Sequence, residues 1–235
     1  MKKIPPISLV MPIYNIAPIA EKVVTSYYRE VVAKIPGSEF VIAEDGSTDG
    51  TKEILKRLAK RYPLKLIMDD KKKGYIRAVK DAFQLPRNDI IFFSDSDGEH
   101  DPKDFWKMIK LLPNNDLIVG YKRGRKGPFY RVLASRVNNF LIGLLFGLWL
   151  RDTNCGFRVI RKKMIKDVLP EVHVSRYAFA AEFTIRAYKK GYRVVECGVS
   201  HHPARSSEFS AMKMPKVFVK QLCDLMKIKI ELWSK

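Results

Sequence analysis

The sequence predicts one α/β domain with a mostly parallel central sheet. Three observations lead there. Short apolar runs recur through the first half, each ends in turn-forming or acidic residues, and each leads into a segment of helical periodicity. Repetition of that strand-then-helix order is the mark of a parallel sheet covered by helices. The chain has 235 residues, 46% of them hydrophobic, enough for one substantial core.

The elements follow in order. Ile7–Ile13 is the first strand, and Ala17–Ile35 reads as a helix. Phe40–Ala43 and Thr51–Arg61 repeat the pair, then Leu64–Met68 with Tyr75–Phe83, then Ile90–Phe93 with Pro102–Leu112, and Leu117–Gly120 is a further strand. In such sheets ligands gather at the carboxyl ends of the strands, which is where polar residues are placed here. A basic stretch, KRGRKGPFYR, comes next, followed by a helix whose later turns are apolar. Its segment Phe140–Leu150 would cover about 16 Å, roughly half a hydrocarbon core. Two readings stay open for it: a buried core helix, or one lying in a membrane interface between Arg131, Arg136 and Arg151. Met214–Trp233 sets Phe218, Leu222, Leu225 and Leu232 near helical spacing among lysines, a basic amphipathic helix for a membrane or a partner. The division expected is therefore 1–211 for the α/β domain and 212–235 for this helix.

Charge is unevenly spread. Residues 1–118 carry a net +3 and residues 119–235 a net +16. A basic surface favours phosphates, whether of a nucleic acid, an anionic membrane surface or a phosphorylated substrate. No nucleic-acid module is recognisable and strand-end carboxylates repel a polyanion, so nucleic acid is not expected as a partner. Cys155, Cys197 and Cys223 show neither disulfide nor zinc spacing. The N-terminal apolar run is short and contains Pro12, so it reads as a strand and not as a signal peptide. No stretch reaches the length of a spanning helix, and a peripheral position on the cytoplasmic face of a membrane is expected.

The strongest chemical signal is IIFFSDSDGEHDP, where Asp95, Asp97, Glu99 and Asp101 crowd the exit of a buried strand. Such crowding raises carboxylate pKa values unless a cation is present, and a hard divalent ion, Mg²⁺ or Mn²⁺, would relieve it while leaving sites for phosphates. Asp101, next to Pro102, reads more simply as a helix cap. In EFVIAEDGSTDGT, Glu44 and Asp45 leave the second strand and could accept hydrogen bonds from a base or ribose, while Gly46 to Thr51 form a capped strand-to-helix junction. VMPIYN ends the first strand with Pro12, Tyr14 and Asn15, and Gly74 precedes a helix where backbone or ligand can come close. His201 and His202 are adjacent and would point to opposite faces, which argues against a shared metal.

These pieces, in this order, resemble the inverting nucleotide-sugar glycosyltransferases of the GT-A fold, whose DxD motif matches Asp95-Ser96-Asp97. The run RDTNCGFRVIRKKMI, with Arg131 and Ser135 four residues apart before it, is similar to the dolichyl-phosphate mannose synthase branch through Asp152, Gly156, Phe157 and Arg158. The resemblance spans roughly residues 7–210. It implies that Pro12, Tyr14, Asn15, Glu44, Asp45 and Gly74 hold a nucleotide sugar, GDP-mannose or UDP-glucose, with Ser96 and Arg205. It implies a metal at Asp95, Asp97 and Glu99, and a dolichyl-type polyprenyl phosphate at Arg123, Arg131 and Ser135. Catalytic roles would fall to Asp95, Asp97, Arg131 and Asp152. The branch's R-x-x-G-x-S-K loop is altered here, since Ser206 to Ala211 follow Arg205 without the glycine. Transfer to a sugar hydroxyl of a lipid-linked glycan or polysaccharide is the alternative, needing Asp152 or Glu182 as base. A membrane-anchoring partner subunit is a further possibility for a chain without membrane helices.

Overall fold

The computed structural model describes residues 4–124, 128–175, 179–202 and 214–234. Seven strands form one sheet: β1 (Ile7–Ile13), β2 (Glu39–Glu44), β3 (Leu64–Met68), β4 (Ile90–Ser94), β5 (Leu117–Lys122), β6 (Phe157–Arg161) and β7 (Val194–Val199), in the order β3-β2-β1-β4-β6-β5-β7. Every neighbouring pair is parallel except those made by β6, which runs against both β4 and β5. The sheet is mostly parallel, as expected, with one reversed strand inside it, between β4 and β5. Both faces of β1 and β4 are buried along their whole length, which explains why each is a continuous apolar run and not an alternating one. Pro12 lies beyond the last β1–β4 pair, Val10 with Phe93, so its missing N–H falls where that ladder has ended.

The helices are α1 (Ala17–Glu30), α2 (Thr51–Ala59), α3 (Tyr75–Phe83), α4 (Phe105–Met108), α5 (Phe129–Phe146), α6 (Lys162–Val168), α7 (Phe179–Lys189) and α8 (Met214–Trp233). Two depart from the sequence reading. The first helix stops at Glu30, and Val32–Lys34 continues as a 3₁₀ turn. The expected helix from Pro102 to Leu112 is broken into 3₁₀ turns around the four-residue α4, with Pro113 inside the last turn and no N–H to carry the ladder on. Asp101 caps its start by accepting from the Lys103 amide at 2.9 Å.

The main core lies between the sheet and its helices. A second, smaller cluster joins α5, α7 and α8 through Ile142, Phe146, Ala181, Ile185, Leu225 and Ile228. α5 has one face buried, while Phe129, Leu133, Val137, Phe140 and Leu144 lie exposed at three- and four-residue spacing.

A buried ion cluster fixes α7 and α8. Glu182 is fully buried; its Oε1 accepts from the His173 and Val174 amides, its Oε2 from the Ser175 amide at 2.7 Å, and Arg186 Nε donates at 2.9 Å. Arg186 also reaches Glu231 of α8 at 2.6 Å. Removing one partner strands a buried charge, which costs about 3 kcal/mol or more. Glu182→Ala should therefore lower the melting temperature by roughly 6–12 °C, measurable by calorimetry.

Candidate active site

The ends of β1 and β2 are welded by side chains that cap backbone. The Asn15 amide donates to Ser47 Oγ and the Thr48 amide to Asn15 Oδ1, both at 2.9 Å. Asn15 takes a positive φ of 48°, which an asparagine tolerates. Glu44 and Asp45 are both buried. Glu44 Oε1 accepts from the Ser47 amide, whereas Oε2 accepts no hydrogen bond, its nearest cation being Lys52 Nζ at 3.8 Å. Asp45 turns to the loop after β3, taking the Lys73 amide at 2.7 Å and the Gly74 amide at 3.0 Å. That loop also lays Lys72 Nζ 3.7 Å from the centre of the Tyr14 ring.

At the end of β4 the DxD residues turn toward a cleft. The Asp95 amide donates to the Gly156 carbonyl at 3.1 Å, so the reversed β6 begins beside the point where β4 ends. Tyr75 donates its hydroxyl to Asp95 Oδ1 at 2.8 Å. A Cβ on Gly156 would lie 1.7 Å from Asp95 Oδ2, so the carboxylate occupies the space a side chain would take. Ser96 is buried, and Asp97 lines the cleft with Oδ1 accepting from the Glu99 amide. Desolvation in the cleft and the charge of Asp97 hold the Asp95 carboxyl well above its ordinary range, and desolvation with Glu99 raises Asp97 too.

Glu99 behaves differently. It forms an ion pair with Lys122 and lies 3.4 Å from His201 Nε2, and despite its partial burial its pKa is lowered by the Lys122 contact. Among the described residues, no three His, Cys, Asp or Glu side chains form a ready cage for a metal. Two carboxylates with no direct ion pair among the described residues are nonetheless what a Mg²⁺- or Mn²⁺-type site asks of a protein when substrate phosphates supply other ligands. The donor set at Asp95 and Asp97 fits such an ion, while Glu99 is already engaged.

The cleft holds about 360 Å³. It is lined by Asp95, Asp97 and Tyr75, by Lys122 of β5, Arg131 and Ser135 of α5 and Asp152, and by Val217, Phe218 and Gln221 of α8. Of the expected acceptor residues, Arg131 and Ser135 meet here. Arg123 packs its side chain over Gly198 of β7, and Lys122 takes the place in the cleft. Arg205 lies outside the described residues. Asn139 ties α5 to the cleft floor: its amide donates to the Ser135 and Arg151 carbonyls, and its oxygen accepts both the amide and hydroxyl of Thr153.

Three residues that carry the site were not singled out for these roles by sequence reasoning. Tyr75 and Lys122 contact residues twenty or more positions away. Arg158, buried within β6, donates to the Cys155, Thr153 and Ala180 carbonyls and to Thr184, fixing the 152–156 segment without any carboxylate. Glu182, the alternative base for a hydroxyl acceptor, has its oxygens spent on three amides and Arg186.

With this geometry in hand, comparison with known proteins decides the family. The profile described as "Glycosyl transferase family 2" matches residues 8–169, well over half of the chain. This chain belongs to glycosyl transferase family 2. A dodecaprenyl-phosphate galacturonate synthase of Rhizobium johnstonii is 29% identical over 233 residues, covering 94% of this chain and 66% of that protein. A dolichyl-phosphate β-glucosyltransferase of Trichomonas vaginalis is 28% identical over 241 residues, covering 95% of this chain and 73% of its own length. Among solved structures, glucosyl-3-phosphoglycerate synthase of Mycobacterium tuberculosis, in complex with Mn²⁺, UDP and phosphoglyceric acid, superposes with a TM-score of 0.74 at 16% identity, over 96% of this chain and 78% of that one. The family member described here is a glycosyltransferase with the GT-A fold.

Proposed function

We propose that this glycosyltransferase moves a hexose, mannose or glucose, from a nucleoside diphosphate sugar to a polyprenyl phosphate at a membrane surface, with inversion and with help from Mg²⁺ or Mn²⁺. The observation that carries the reading is one cleft in which a carboxylate pair, Asp95 and Asp97, faces the cations Lys122 and Arg131. Relatives named for dodecaprenyl and dolichyl phosphates support the acceptor class. At the donor end, Glu44 Oε2 is a buried oxygen that accepts no hydrogen bond from the described residues and can receive a ribose or base donor. When bound, the divalent ion would neutralise charge growing on the departing diphosphate.

The chain's own residues do the rest. Arg131 offers a planar fork suited to a phosphate, Ser135 stands one turn along on the same face, and Lys122, paired with Glu99, borders the same cleft. A phosphate monoester with its second pKa near 6 is already mostly ionised at neutral pH, so its oxygen attacks without a general base. Catalysis then rests on alignment and charge stabilisation. Arg131→Ala should raise KM for polyprenyl phosphate about 10–100-fold, the worth of a charged hydrogen bond, with KM for the donor sugar much less changed.

Among the described residues no helix is long and apolar enough to cross a membrane. The exposed apolar faces of α5 and α8, ending in Trp149 and the 84%-exposed Trp233, support a position in the interface. Replacing Phe140 and Leu144 together by aspartate should abolish co-sedimentation with anionic vesicles. Retained binding by that variant would leave the face for a partner subunit instead.

The decisive assay offers labelled GDP-mannose or UDP-glucose, with Mn²⁺ or Mg²⁺, to polyprenyl phosphate and to free polyprenol. Labelled lipid from the phosphate alone is the expected result. Transfer to the alcohol and not to the phosphate would overturn the acceptor assignment.

A further inference from the structure

Tyr75 is placed for a contact more than for burial. It opens α3, whose buried residues Ala78, Val79, Ala82 and Phe83 hold that helix against the core, yet its own side chain is 45% exposed and faces the cleft. An aromatic ring so placed gains little from burial. What it does have is a 2.8 Å hydrogen bond from its hydroxyl to Asp95 Oδ1, while Asp95 Oδ2 is pressed against Gly156. The carboxylate is therefore held at both oxygens, by a donor on one side and by bare backbone on the other.

The position of Tyr75 is itself set from the opposite end of the site. After β3 the chain is tied to the end of β2 at successive points. The Asp69 amide donates to the Glu44 carbonyl at 3.1 Å. Gly46, at φ 73°, lets the Lys71 backbone approach so closely that a Cβ there would fall 2.4 Å from its carbonyl carbon. Lys73 and Gly74 both donate to the buried Asp45 carboxylate, and Gly74 takes a φ of 95° that sends the chain into α3. Residues 69–75 thus form an arc anchored on the β2 end and terminating on Asp95.

We propose that Tyr75 is a positioning residue that orients Asp95 for a divalent cation, and that the arc makes the cation's affinity depend on Asp45 although Asp45 only touches backbone. The inference rests on the metal reading of Asp95 and Asp97 given above. Hydrogen-bond partners of ligating side chains typically contribute 10–100-fold to metal affinity. Asp45 would act through that same bond, by holding Gly74 and so the start of α3.

The test measures binding of Mn²⁺ alone to the full chain, from the EPR signal of the free ion. Tyr75→Phe should weaken binding about 10-fold with its melting temperature nearly unchanged. Asp45→Asn should also weaken it, and the double variant should bind no worse than the weaker single one, since both act through one bond. If Asp45→Asn does not fold, Gly74→Ala replaces it, because nothing lies within 4 Å of a Cβ there and only the backbone turn is strained. Wild-type affinity in Tyr75→Phe, or losses that multiply in the double variant, would overturn the proposal. Asp95→Asn is the separate arm: retained Mn²⁺ binding in that variant would sink the metal reading itself, whereas its loss alongside an unaffected Tyr75→Phe would sink only the positioning role.

Discussion

Asp95→Asn is expected to cut kcat for sugar transfer by about 10²–10³-fold or more, the scale seen when one preorganised electrostatic group is removed from an active site. The fold should not suffer. The amide keeps the shape of the carboxylate, can still accept the Tyr75 hydroxyl, and removes repulsion with Asp97. The sign of the pH dependence follows. Burial and Asp97 raise the folded pKa of Asp95 from 3.8 to about 7, so between those values the folded state holds more of this proton than the unfolded chain does. The stability associated with that proton is present below the unfolded pKa and is lost as pH rises through the folded one. Wild-type stability should therefore decline across that window by more than that of Asp95→Asn, and at pH 7.5 the variant should melt at the same temperature or higher. Thermal melts at pH 4.5 and 7.5 check this, and a variant markedly less stable than wild type at both would contradict it.

The second large effect comes from a residue with no side chain. Gly156→Ala would put a methyl carbon 1.7 Å from Asp95 Oδ2, and the atom most able to yield is the carboxylate, a terminal group on a rotatable bond. The variant should fold and yet lose transfer nearly as fully as Asp95→Asn. Two changes acting on one group do not add, so Gly156→Ala placed on Asp95→Ala should cost little beyond Asp95→Ala alone. Full additivity in kcat would mean that Gly156 serves something other than Asp95.

These two residues also mark the limit of what could be read before folding. β1 and β4 were legible because strands buried on both faces are simply apolar, and the carboxylates at their ends stood out against them. β6 was not. Its sequence, FRVIR, carries Arg158 at its second position, and only the structure supplies the carbonyls that make a buried guanidinium tolerable there. Without β6 in the sheet, nothing connects Gly156 to Asp95. Glu99 could be read for its charge but not for Lys122, which neutralises it from β5, twenty-three residues on. Tyr75 left no local trace, since a tyrosine at a helix start is ordinary and its partner lies on another strand. Helix ends were misjudged where apolar periodicity ran past a 3₁₀ turn, as after Glu30.

The bonds of Asn139 bear on how specificity could be exchanged among relatives. Because this one side chain holds Ser135, Arg151 and Thr153 together, α5 and the stretch leading into β6 form a single mechanical unit. A chimera that imported the helix of a relative but kept the native 147–156 stretch would need a matching side chain at 139 and matching partners across the seam. Transplanting 128–156 as one cassette is the cut that leaves those joints intact.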